Sequence, residues 1–161
     1  MLTETQTLLI SQINSAFKDI ELDGGIGLSE ANAIDNYKDE QFREECKKND
    51  EKLHWDNIPS SSINEYYSSL SFFDAKGMRF HLPAFMIAEI KGEYRFGMSF
   101  SLTHLSDYTK SQFEFLNEKQ REVVVLFLNH LLMDSNYEFE KPTIERIIKD
   151  YWSIPLKNNL I

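Results

Sequence analysis

Cysteine is almost missing from this chain. Cys46 stands alone in 161 residues, so neither an internal disulfide nor a cysteine-rich zinc site can form. Glycine and proline are also sparse, at six and four residues, and no repeat, low-complexity tract or Pro/Gly/Ser linker divides the chain. Basic residues are outnumbered, 17 against 26 acidic, for a net charge of −9. Such a surface repels phosphate backbones and anionic lipid headgroups, which argues against nucleic-acid and membrane partners and favours a basic protein partner. The densest basic group, Arg43, Lys47 and Lys48, is diluted by Glu40, Glu44, Glu45 and Asp50 and reads as a solvated helix face. Long apolar runs are missing too. The longest, Leu82 to Ala88, falls far short of the ~18 residues of a membrane helix. The N-terminus has neither the basic nor the apolar region of a signal peptide, so the expected location is the cytoplasm.

Catalytic and cofactor signatures are likewise missing. There is no G-x-S-x-G elbow, no phosphate-binding G-x-x-x-x-G-K and no H-E-x-x-H. The four histidines, His54, His81, His104 and His130, share no i, i+4 pair. No cofactor is expected on this pattern, and no oligomeric state is written in it.

What the chain does have is apolar material, 42% of it including 12 Phe, 7 Tyr and 2 Trp, enough to fill a core without disulfide or metal. Its length suits one globular domain over residues 1–161, near the usual ~100–150 residues. Apolar residues recur at helical spacing through most of it. A first helix is expected over residues 4–19, capped by Thr3, with Leu9, Ile13, Phe17 and Ile20 inward. Gly24-Gly25-Ile26-Gly27 breaks it, and Ser29 caps a second. A polar helix follows near 39–50, with Phe42 and Cys46 on one face and Cys46 as a small core side chain. Pro59 precedes another, with Ile63 and Tyr66 inward. Asp74-Ala75-Lys76-Gly77 lies between apolar flanks and predicts a short β-hairpin near residues 70–82. Pro83 then opens a helix that is apolar nearly all round, the mark of a buried central element. Short helices are expected around Leu102 and Phe113–Leu116. Asn117 with Gln120 forms a capping box for a strong helix through Met133, and Pro142-Thr143 starts a last one. The tail after Trp152 either lies against the body or frays. The expected fold is therefore mainly α, a compact multi-helix domain with one small hairpin.

Two groups of residues could carry chemistry. Asp19, Glu21, Asp23 and Glu30, with Gly24 between, fall at ligand positions 1, 3, 5 and 12 of a calcium-binding helix-loop-helix. Against this stand the long Glu21, the apolar Leu22, a first-helix stripe that runs on to Ile20, and the want of a second loop. The structural alternative is a helix end, a glycine turn and a capped helix. The second group is Trp55-Asp56 with Asp74, Arg79 and His81. Asp74 and Arg79 suit an ion pair that holds the hairpin, and the same groups suit an enzyme or small-ligand site. Trp55 suits an interface anchor or a core side chain equally.

The segments Gly25-Ile26-Gly27-Leu28-Ser29-Glu30-Ala31, Ile34-Asp35-Asn36-Tyr37, Trp55-Asp56-Asn57-Ile58-Pro59 and Phe72 to Phe85 (F-x-D-x-x-G-x-R-F-x-L-P-A), with the helix from Glu118 to Leu132, together resemble an uncharacterised bacterial family, a domain of unknown function. The resemblance spans most of residues 15–135. It implies a single globular domain and a turn-plus-cap role for Gly25–Ala31. Where the family more commonly carries an aromatic, this chain has His81. The residues favour a non-enzymatic acidic protein-binding module, immunity-type or regulatory; the alternatives are the enzyme or ligand site and the calcium loop.

Overall fold

A computed structural model describes residues 1–157. Among the described residues nine α-helices follow in order: α1 Glu4–Ala16, α2 Leu28–Asp35, α3 Glu40–Asn49, α4 Ser60–Glu65, α5 Ala75–Ile90, α6 Ser99–Thr103, α7 Asp107–Gln112, α8 Glu118–Leu132 and α9 Lys141–Ile147. Turns of 3-10 helix at Trp55–Asn57, Tyr67–Ser71 and Ser135–Glu140 join some of them, and a π-helical turn, Ile148–Trp152, continues α9. No described helix is long and apolar enough to cross a membrane.

Local chemistry explains most boundaries. Thr3 and Gln6 cap α1 reciprocally, as do Asn117 and Gln120 for α8. α1 ends at Ala16, three residues short of expectation, and Phe17 turns into the core at its C-cap. α3 is capped by Asp39 and buries no residue; Phe42 is exposed and Cys46 only half-buried, so the expected core role for Cys46 does not hold.

The hairpin expected near 70–82 is absent. Among the described residues there is no strand. Tyr67–Ser71 is a 3-10 turn, and α5 begins at Ala75. The physical reason lies in two coincidences. An aspartate whose carboxylate accepts an N–H three residues on serves a turn and a helix N-cap alike; here Asp74 caps α5 through the Gly77 amide at 2.8 Å. The strand-like alternation Met78-Phe80-Leu82 is buried, but so are His81, Pro83 and Ala84, because α5 is enclosed on nearly every side. A fully enclosed helix accepts any apolar period. Pro83 accordingly lies inside α5 rather than in its first turn, and it forfeits the bond to the Arg79 carbonyl.

α5 is the axis of the molecule. It touches α1, α4, α7 and the Trp55–Asn57 turn, while α1 packs on α8. Phe73, Phe80, Phe85, Phe113 and Phe127 are sealed in one apolar cluster with Ile13, Phe17 and Met98. Buried polar side chains serve as connectors. Gln112 donates to the carbonyls of Leu70 and Phe73, Ser69 to that of Leu28, and Trp152 to that of Leu102. Each answers a carbonyl that burial would otherwise leave without water.

Candidate functional site

Asp74 is the centre of the motif region. One carboxylate oxygen accepts the Gly77 amide and, at 2.9 Å, the Ile26 amide from the distant glycine loop. That loop is locked from both sides. A Cβ on Gly77 would collide with the Ile26 carbonyl, and one on Gly27 with the Asp50 carboxylate. These contacts require hydrogen at both positions. Asp50 accepts from the Ser29 amide and hydroxyl at 2.9 and 2.7 Å and from the Glu30 amide at 3.0 Å. The N-cap of α2 is therefore Gly27, not Ser29, and the capping oxygens come from a residue at the end of α3.

Arg79 does not pair with Asp74. Its guanidinium meets Asp23 at 3.2 Å, and Lys76 donates to the Asp23 carbonyl at 3.0 Å. Glu30 accepts from the Gly27 amide. Two of the four acidic residues of the expected calcium loop, Asp23 and Glu30, are thus spent on Arg79 and on a helix start. Among the described residues no three His, Cys, Asp or Glu side chains stand close enough to hold a metal.

His81 is 1% exposed and lies flat on Phe73, with ring centroids 4.3 Å apart and planes 5° from parallel. Nδ1 is 2.7 Å from the Gly77 carbonyl, so the proton sits on Nδ1. Nε2 is sealed without a partner. Burial holds its pKa down at about 4, against the opposing pull of the Gly77 bond and of Asp50 and Asp74. A neutral imidazole enclosed in apolar surroundings has no path to a substrate.

Trp55 is buried, and its indole donates to the Phe17 carbonyl at 3.0 Å. It is a core side chain. Asp56 is exposed beside Ile87 and Ala88, toward the far end of α5. From Asp74 to Ile87 is about 20 Å at the helical rise. The structure therefore brings Asp74, Arg79 and His81 to one end of α5, each with a structural partner, and leaves Asp56 apart. None of the described surface clefts is lined by Asp74, Arg79 or His81.

Two features were not read from the sequence. Glu89 is largely buried on α5. It accepts the Tyr137 hydroxyl and, at 2.7 Å, the Met98 amide, which ties α5 to the loop before α6 and to the Ser135–Glu140 turn. Burial raises its pKa, against those two hydrogen bonds. Nothing local in the sequence marks it, since its partners lie 9 and 48 residues away.

The second is an exposed aromatic face. Tyr67 stacks on Phe96 at 3.9 Å, Phe100 on His104 at 4.2 Å, and the Tyr108 hydroxyl donates to the Ser71 carbonyl at 2.9 Å. Phe96 and Tyr108 thus fasten both ends of one segment to the Tyr67–Ser71 turn. Tyr67, Phe96, Phe100 and Tyr108 are all about half exposed or more, Phe100 to 68%. Phe96, Phe100, His104 and Tyr108 recur every four residues, a signal visible in the sequence. No curated protein and no solved structure matches the chain. The family of unknown function DUF6714 matches residues 5–155, nearly the full length, and the chain belongs to that family.

Proposed function

We propose that this protein is a non-enzymatic protein-binding module, immunity-type or regulatory, acting as one domain in the cytoplasm on a basic partner. The observation that carries the reading is the exposed aromatic face. Large rings held rigid by stacking lose little freedom on docking, and aromatic anchors supply much of the binding energy at interfaces. A cluster of such rings in water is otherwise a liability. The net charge of −9 adds long-range attraction for a basic protein and speeds encounter. The enzyme reading lacks support of this kind, because Asp74, Arg79 and His81 are engaged in capping, an ion pair and core packing, and Asp56 lies apart from them.

The test is capture from the native host with the full chain as bait, followed by reconstitution of the purified pair. A stoichiometric basic partner is expected, with association that slows as salt rises. Phe100→Ser should weaken binding by about tenfold or more. Recovery of no stoichiometric protein, or a partner indifferent to Phe100→Ser, refutes the proposal.

A further inference from the structure

Arg121 is 7% exposed on α8, and among the described residues no carboxylate lies within ion-pair distance of it. Buried arginines are ordinarily paired. This one is held by aromatic faces instead. Its guanidinium carbon lies 4.6 Å from the Tyr151 ring centre and 5.1 Å from that of Trp152, and one N–H donates to the Tyr151 carbonyl at 2.7 Å. A guanidinium has five N–H donors. The nitrogens of Arg121 are not sealed without partners as Nε of Arg43 and of Arg79 are. Arg121 lines a cleft of about 360 Å³ between α7 and the segment after Trp152.

The walls of that cleft carry an unusual charge for so acidic a chain. Lys110, Arg121 and Lys157 line it against the single acid Glu114. Lys110 sits 5.6 Å from the same Tyr151 ring that Arg121 covers, so two cations gather on one aromatic. Phe113, Ile154 and Leu156 supply an apolar wall. Arg121 and Ile154–Leu156 also line an adjoining cleft, but that one carries Glu118 and Glu122, which would repel an anion. Charge thus selects the Lys110 side.

We propose that this cleft binds a small carboxylate with an apolar body. The carboxylate takes the free fork of Arg121, with Lys110 as second cation, and the apolar part lies along Phe113, Ile154 and Leu156. Planar bidentate recognition is what a guanidinium does best, and rings stacked on it fix its orientation. Tyr151 and Trp152 serve as positioning residues.

Titration of the isotope-labelled full chain with octanoate, followed by amide and indole NMR, tests this. Octanoate at millimolar concentration should give saturable shifts confined to residues 151–156, the Trp152 indole and the α7 amides. Octanamide should give none, and inorganic phosphate should bind more weakly than octanoate. The exposed Lys110→Gln, which leaves the fold intact, should weaken octanoate by about tenfold, and Arg121→Gln should remove binding altogether. Shifts of equal size with octanamide, tighter binding of phosphate than of octanoate, no saturable shift with octanoate, or equal affinity in Lys110→Gln and the parent would each overturn the proposal.

Discussion

His81 should make this protein acid-sensitive by an amount that one substitution removes. The imidazole ionises near 6.5 in an unfolded chain but only at about 4 in the fold, chiefly because burial disfavours the cation. Its folded pKa is depressed, so as pH falls the unfolded chain takes up a proton that the native state refuses. Stability from this residue is full above 6.5 and is lost as pH falls toward about 4. Going from pH 7 to pH 5 removes about 2 kcal/mol, and the limiting loss at lower pH is about 3 kcal/mol. His81→Phe isolates the effect. A phenyl ring retains the stack on Phe73, and the Gly77 carbonyl keeps the backbone N–H of residue 81 as a helical partner. Urea unfolding of both proteins, followed by tryptophan fluorescence at each pH, gives the comparison. Carboxylate protonation is common to both and cancels in the difference. The parent should lose about 2 kcal/mol more than His81→Phe between pH 7 and pH 5. Equal losses in the two proteins would refute the claim that His81 is enclosed and neutral.

Asp74→Ala removes the shared acceptor of the Gly77 and Ile26 amides and should cost about 1–2 kcal/mol in chemical unfolding; Asp74→Asn, which keeps an oxygen there, should recover most of it. Gly77→Ala drives a methyl into the Ile26 carbonyl, a backbone atom that cannot swing aside. It should cost about 2 kcal/mol or more despite the better helix propensity of alanine, read as a fall in Tm.

The stretch from Phe72 to Phe85 finds its account in this same contact. Asp74 and Gly77 receive the glycine loop, Lys76 and Arg79 hold Asp23, and Phe73 carries His81. The stretch reads as a clamp between two segments some 50 residues apart. A clamp of this kind looks like an active site on paper, because it concentrates charged and small residues around a turn.

What the sequence determined by itself was local. The caps at Thr3 and Asn117, the polar face of α3, the apolar run of α5 and the stripe of α8 all follow from side chains within a few residues of one another. The aromatic repeat from Phe96 to Tyr108 was legible in principle, though it marks no single helix, because Phe96 lies in a loop, Phe100 in α6 and Tyr108 in α7. So was Arg121, a cation three residues before Val124 on the buried stripe of α8. Only the tertiary structure decided the partners. Whether Asp74 ends a hairpin or starts a helix depended on α5 being enclosed on nearly every side. Whether Arg79 meets Asp74 or Asp23, and whether Asp50 or Ser29 supplies the oxygens for α2, depended on chain segments 21 to 56 residues apart coming into contact. Charge and hydrogen-bonding capacity belong to a residue, but the partner that uses them is chosen by the packing of distant apolar faces.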